Sequence, residues 1–472
     1  MNFRGIIYYL GLFCFPISFL SFLNILYSSY FDYFLNFESY IITLILSFTF
    51  GLIFYFFGKK NDKKIDFQEQ LILVVLIYSV VSFLISLPYF IGNYKISFID
   101  SIFEAFSGIT GTGFSIFENI KYLDPTLILW RSSSQWIGGL YFLIFIILFF
   151  SNIQYNFKLN DLVYSGDRSL NPDTNIKKVS IRIFFLYFFI TLLVFSFFVF
   201  SEVRLFNALN LTMTLVSAGG FLPTNSLNSI IRTNLQEFFL GVSFLISLIN
   251  IFFFYSVLKN KNIFKDQYED FTLFLFVIPL SIVLIFFLDN ITITDSILSI
   301  LSSLSTSGIS KDINVGNFSL YFLFVSIVGG SLISNSSGIK FLRIYILVKS
   351  SLSEIFKLVR PNNITNQNIL FSVKKINNQN MKISFMIFIS FFLSLFILSG
   401  ILLFDQISFE NSFKLSILTL TNTVSSSLYG SENIVFANLL TSSKIAIIIF
   451  MIIGKIELIS VFLVIRRIFF KN

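Results

Sequence analysis

Ten stretches of predominantly apolar residues run through the chain, near residues 6–27, 38–57, 70–91, 129–151, 181–201, 235–257, 271–289, 319–348, 383–404 and 442–465. About twenty apolar residues coiled as an α-helix cross the hydrocarbon core of a bilayer. Lipid offers no partner to a backbone N–H or C=O, so a spanning segment is either a helix or part of a closed barrel. Runs this long and this uniform choose the helix. The expected fold is an all-α polytopic membrane protein. The charge content agrees: 12% of residues are charged, about half the roughly 25% of soluble domains. The run from Ile6 to Tyr27 is too long for the apolar core of a signal peptide, and no small-residue cleavage site follows, so it reads as a retained first helix.

Residue types that are missing exclude several chemistries. The chain has no histidine. That removes Ser-His-Asp and Cys-His catalysis and nearly all catalytic zinc sites. Its one cysteine, Cys14, lies in an apolar run, so no internal disulfide forms. The net charge is +8. In this composition the excess does not point to nucleic acid; it reports membrane orientation. Lysines and arginines follow the even-numbered spans: Lys59, Lys60, Lys63 and Lys64, then Lys158, Arg168, Lys177 and Lys178, then Lys259, Lys261 and Lys265, then Lys349 to Lys382, and finally Arg466, Arg467 and Lys471. The positive-inside rule puts that side, and both termini, in the cytoplasm.

On the other side, four spans are each followed by a segment too short and too polar to cross. The segments begin at Asp100, Asn207, Asp295 and Asn411, and about thirteen residues later each ends in a Ser/Thr/Gly-rich turn. The first and third align without a gap: Asp100 with Asp295, Thr110 with Ser305, Thr112 with Ser307, Gly113 with Gly308. Asp or Asn at the start is expected to be a helix N-cap. About ten residues then make a helix of roughly 15 Å, half the hydrocarbon thickness. The repeated unit is span, half-crossing helix, polar turn, span. Four units are expected at 68–155, 179–260, 268–350 and 380–472, preceded by two spans in residues 1–60. Irregular backbone at mid-membrane depth survives only where it lines a cavity or is buried in protein. Four turns on one axis would make a ring of carbonyls and hydroxyls able to replace the water shell of a small cation. The ring residues are Thr110, Gly111, Thr112 and Gly113; Ser217, Ala218, Gly219 and Gly220; Ser305, Thr306, Ser307 and Gly308; and Thr421, Asn422, Thr423 and Val424.

These segments resemble the TrkH/KtrB/HKT superfamily of potassium transporters, and its TrkH branch most. Thr110 to Gly113 is similar to the family's first pore turn, where Thr-Thr-Thr-Gly is usual. Trp130, Arg131 and Gln135 to Gly139 resemble the start of the helix that follows it. Ile339, Lys340 and Arg343 resemble a stretch near the end of the third unit, and Leu358 to Pro361 the Leu-Val-His-Pro beyond it. Gly454 to Glu457 resembles the Gly-Arg-Leu-Glu of the last helix. The resemblance covers nearly the whole chain. It implies a fourfold pseudosymmetric pore with K⁺ bound at the turn residues, a homodimer with one pore per subunit in the bacterial inner membrane, and surrounding lipid. It also implies a separate cytoplasmic nucleotide-binding regulator of the TrkA or KtrA type. No enzymatic activity and no cofactor are implied.

Three departures from the family bear on selectivity and gating. Val424 stands where the fourth filter glycine falls, and a β-branched residue resists positive φ. In plant HKT members, a serine for one filter glycine accompanies Na⁺ preference, so Na⁺ or non-selective cation transport is the alternative function. Gly111 replaces a usual threonine, which is expected to loosen the first turn. The eighth span carries Gly329, Gly330 and Gly338 among serines, where the family has a gating loop. Small polar residues inside a span fit a broken helix or a close helix-packing face. Lys455, where the family has Arg, is either a gating charge below the filter or an interfacial pairing group. Glu104 either adds negative charge at the outer mouth or bonds loop backbone, and Arg131 reads as an anchor. For a coupled proton, Glu104 and Glu457 are the carboxylates expected within the membrane. Two further classes stay open: a membrane enzyme acting on lipid or cell-wall intermediates, and a nonconducting scaffold for a nucleotide-sensing partner.

Overall fold

A computed structural model describes residues 2–59, 65, 67–151, 176–258, 267–287, 292–311, 318–359, 368–372, 375–430 and 434–456. Among these residues every regular element is helical, apart from an isolated bridge between Asn368 and Lys375. Six helices among the described residues are long and apolar enough to cross a membrane. The fold is an all-α polytopic membrane protein.

Helices α1 (Phe3–Tyr30) and α2 (Phe37–Gly58) form a hairpin. They lean on α3 (Phe67–Ile91) and α5 (Pro125–Ser151). Between α3 and α5 lies the short α4 (Phe98–Thr110). The pattern recurs with α6 (Ile176–Phe200), short α7 (Leu205–Val216) and the pair α8 (Asn234–Leu248) and α9 (Ile251–Leu258). It recurs with α10 (Tyr268–Phe287), short α11 (Ile293–Leu304) and the pair α12 (Ser319–Val328) and α13 (Phe341–Val359). Last come α14 (Asn378–Phe404), short α15 (Phe409–Thr421) and α16 (Thr441–Ile456).

The short helices start earlier than expected. Ser97 and Thr292 are the caps of α4 and α11, accepting from the N–H of Asp100 and Asp295. Asp100, Asn207, Asp295 and Asn411 all sit at the third helical position, where Asp100 and Asp295 also accept from the cap hydroxyls. A carboxylate there meets the positive end of the helix dipole. The predicted N-caps are thus third-position residues; in α4 and α11 the cap is the hydroxyl three residues upstream, while Arg204 and Ser408 precede α7 and α15 without a side-chain cap bond.

Two spans are interrupted. The sixth breaks at Ile249 and Asn250, which the sequence reading treated as continuous. The eighth breaks over residues 329–340. In lipid, helices gain little from apolar burial against each other and rely on close packing. Gly138 of α5 and Gly454 of α16 show this: a Cβ at either would overlap a pore-helix carbonyl, of Ile109 and Leu420 respectively. Neighbouring units touch in chain order: α5 on α7, α8 on α11, α12 on α15, and α16 back on α4. Units two and four are therefore opposite each other, as are one and three.

Candidate ion pathway

The four short helices end in the same backbone event. One or two residues past each helix end, the chain turns left-handed: Gly111 at φ +80° and Asn422 at +48° directly after α4 and α15, Ala218 at +54° and Thr306 at +58° one residue further on after α7 and α11. At each, the amide N–H donates to the carbonyl three residues back, in Gly108, Leu215, Ser303 and Thr419. Positive φ costs a non-glycine residue about 1–2 kcal/mol. Gly111 therefore relieves the first turn rather than loosening it, and three non-glycine residues are held there by packing. The last residues differ. Gly113 and Gly308 are left-handed, at +79° and +67°, while Gly220 and Val424 are not.

The hydroxyls face backwards. Thr110 and Thr112 pair at 2.8 Å, Ser305 and Ser307 at 3.0 Å, and Thr421 and Thr423 at 2.9 Å. Thr110 and Thr421 also donate to their own helices, at Phe106 and Ile417. Turn two has Gly219 at the third position. There Gln135 of α5 fills the space and accepts from the Phe221 N–H at 3.1 Å. The carbonyls are left over. Among the described residues no hydrogen bond ends on the oxygens of Gly111, Thr112, Ala218, Gly219, Thr306, Ser307, Asn422 or Thr423, all buried. Buried carbonyls are normally paired, and a ring of free ones is a ligand set for a dehydrated monovalent cation.

Beneath the ring, residues 329–340 cross the axis. Gly329 and Gly338 have φ of +69° and +84°. The Ser337 N–H donates to the Thr306 hydroxyl at 2.9 Å, and the Asn335 amide to the Val216 carbonyl at 2.7 Å. Asn422 lies 3.4 Å from the Ser337 hydroxyl and 3.0 Å from that of Thr112. Lys455 supplies the remaining quarter. Its Nζ donates to the Asn335 carbonyl at 3.3 Å and the Ser337 hydroxyl at 3.4 Å, and stands 4.4 Å above the Phe142 ring. A Cβ on Gly111 would be 3.7 Å from it. Loop and lysine together cover all four turns from below. Lys455 is thus buried between the loop and the first turn; Glu457 lies outside the described residues. Gly330 N–H is tied to Ser336 Oγ at 2.9 Å, and Lys340 donates to the carbonyls of Ser334 and Ser336.

What holds this loop escaped the sequence reading. Glu269 and Asp270, in the first turn of α10, are buried. Glu269 accepts from the Leu332 N–H at 2.7 Å. Asp270 accepts from the Ser331 hydroxyl and from the Asn250 N–H at 3.1 Å. The break at 249–250 exists to meet the loop: Leu248 accepts from Ser331 N–H and Ile333 from Ile251 N–H, both at 3.0 Å. Among the described residues the buried carboxylates of the helical spans thus include Glu269 and Asp270, beyond Glu104. The available signal was two adjacent acids opening an apolar span, with Asn250 inside another.

Glu104 does not line the mouth. It pairs with Arg131 at 2.8 Å and accepts from Ile116 N–H at 2.9 Å and Ser115 Oγ at 3.2 Å. Arg131 stacks 4.1 Å over Phe221. The pair clamps the segments leaving turns one and two.

Four inverted half-helices around buried free carbonyls define a class, the cation-conducting membrane proteins built from re-entrant pore helices. Residues 37–326 match the TrkH family, described as a cation transport protein. The chain belongs to that family of ion transporters. An uncharacterized cation transporter of Methanocaldococcus jannaschii is 25% identical over 454 residues, covering 89% of this chain and 88% of that protein. The Trk system potassium uptake protein TrkG of Escherichia coli is 24% identical over 453 residues, 92% of each. The crystal structure of the potassium transporter TrkH from Vibrio parahaemolyticus superposes with a TM-score of 0.85 over 100% of both chains, at 19% identity.

Proposed function

We propose that this chain carries K⁺ into a bacterial cell across the inner membrane. The ion loses its water at Thr110–Gly113, Ser217–Gly220, Ser305–Gly308 and Thr421–Val424, then passes the loop at Gly329, Gly330 and Gly338, and Lys455. One observation carries the reading: the ring of buried carbonyls that accept no hydrogen bond among the described residues. A negative interior favours entry by about 2.3 kcal/mol per 100 mV. The four units, at 68–155, 179–260, 268–350 and 380–472, supply one turn each. Both termini face the cytoplasm, two copies pair, and a separate TrkA/KtrA-type nucleotide-binding subunit controls the loop. The relatives named for potassium uptake and the basic even-numbered loops support this.

The alternative is Na⁺ or non-selective monovalent transport by the same ring. What favours it is the last ring level, where Gly220 and Val424 do not share the left-handed backbone of Gly113 and Gly308. The test is growth of a bacterium lacking its own K⁺ uptake systems, with this chain and a matched regulator, at low K⁺ with and without high Na⁺. Rescue at low K⁺ is expected. Failure to rescue, together with raised Na⁺ sensitivity, overturns the K⁺ assignment in favour of the alternative.

A further inference from the structure

The outermost level of the ring consists of Gly113, Gly220, Gly308 and Val424. These four residues press together. A Cβ added at Gly113 would lie 2.6 Å from the Cα of Gly220. A Cβ at Gly220 would overlap the Val424 Cβ and stand 3.0 Å and 3.1 Å from its two methyl carbons. A Cβ at Gly308 would come within 3.0 Å of Val424 Cγ1 and 2.8 Å of its carbonyl oxygen. Gly220 belongs to unit two and Val424 to unit four, which face each other across the ring. The contact between them therefore runs through the centre. Val424 is part-exposed, and its side chain packs on the positions of Gly220 and Gly308.

An isopropyl group on the axis brings no oxygen to a cation and no partner to water. A cation there loses hydration without compensation, and a hydrophobic constriction of this kind gates by excluding water. Two levels beneath, all four turns are left-handed, at Gly111, Ala218, Thr306 and Asn422. The obstruction is thus confined to one residue layer above an intact ring. Gly220 is what makes room for it.

We propose that Val424 closes the outer end of the ring, so that each entering cation must displace its side chain, and that this residue sets the entry rate and the upper size of cation admitted. The proposal rests on the reading of the ring as a cation pathway. It extends that reading by assigning an outer apolar gate in addition to the loop below.

The experiment uses the purified full chain in liposomes, with tracer uptake of rubidium, caesium and sodium. Four variants are compared with the native chain: V424A, V424G, G220A and the pair G220A/V424G. Displacing a methyl-bearing group within a packed layer is a barrier whose removal is expected to speed rubidium entry about tenfold or more in V424G, less in V424A. Caesium should gain more than rubidium. G220A should lose uptake, because its new methyl overlaps Val424, and G220A/V424G should regain at least the native rate. That rescue separates a steric block from misfolding. Equal or slower rubidium entry in V424G, or native uptake in G220A, overturns the gate and leaves the K⁺ reading standing. Faster entry of sodium alone in V424G supports the gate and overturns the K⁺ reading. Silence of every variant at normal reconstitution density overturns both.

Discussion

The loop under the ring is anchored to Glu269 and Asp270 by two hydrogen bonds, from the Leu332 N–H and the Ser331 hydroxyl, and loosening one of them should open the path. Ser331→Ala is the mildest perturbation. It removes the hydroxyl donor to Asp270 and leaves the Asn250 N–H and the Leu332 N–H in place on the two acids. A hydrogen bond to a charged group contributes about 1.5–3 kcal/mol. If the covered arrangement loses that much relative to the open one, the open population rises by roughly 10- to 100-fold. The assay is rubidium tracer uptake into liposomes holding the purified chain without any regulator, so that basal leak is read directly. The ratio of K⁺ to Na⁺ entry should stay constant, because no ring carbonyl has changed. Asp270→Ala should raise the leak as well, and adding Ser331→Ala to it should add little, since both remove the bond between Ser331 and Asp270. Unchanged leak in both single variants would refute the anchor. A changed ion ratio would show that the loop shapes the ring itself, which contradicts the reasoning.

Lys455→Met should raise basal uptake, because the ammonium beside Asn335 and Ser337 stands in the path of the ion. At about 6 Å and an effective dielectric near 20, a unit charge opposes a monovalent cation by about 3 kcal/mol, so a rise of tenfold or more in tracer flux is expected, and no rise removes the lysine from the path. Glu104→Gln and Arg131→Met each break the buried 2.8 Å pair and should cost about 3–5 kcal/mol of stability. The double variant should recover part of that in a thermal melt, and full additivity would deny the pairing. In the connector after α14, Asp405 accepts from the hydroxyls of Ser442 and Ser443, which hold its carboxyl below its ordinary value. Its contribution is present above the ordinary carboxylate range, near pH 4, and is lost as pH falls through the lowered value. Asp405→Asn should therefore weaken the chain at neutral pH and narrow its gap to the native chain below about pH 4, read as melting temperature; a gap that widens on acidification contradicts this.

Much of the architecture is local and was readable. Hydropathy marks the spans because a bilayer admits only internally bonded helices of a set length. The four short helices show because Ser/Thr/Gly turns interrupt apolar sequence at matching places. Even the register was legible: Gly111, Ala218, Thr306 and Asn422, aligned as equivalent positions, share one backbone state. The cap was misplaced because Asp and Asn suit several positions of a first turn, and only the bonds from Ser97 and Thr292 decide which. The break at Asn250 was hidden because a two-residue irregularity barely dents the apolar run around it. Glu269 and Asp270 looked like residues at the edge of a span, since their partners lie sixty-odd positions away in the loop.

The sequence by itself determined that the chain lives in a membrane, that it is helical, that it repeats one unit four times, and that each unit presents a polar turn at mid-depth. Those properties follow from composition and short-range period. The tertiary structure decided which atoms face the axis. It turned the hydroxyls of Thr110, Ser305 and Thr421 back onto their neighbours and left the carbonyls free. It brought Thr112 to Asn422, 310 residues apart, and Lys455 to Ser337. It also set Val424 across from Gly220. A side chain's direction at a convergence point depends on what three other units place there, and no single stretch of sequence contains that information.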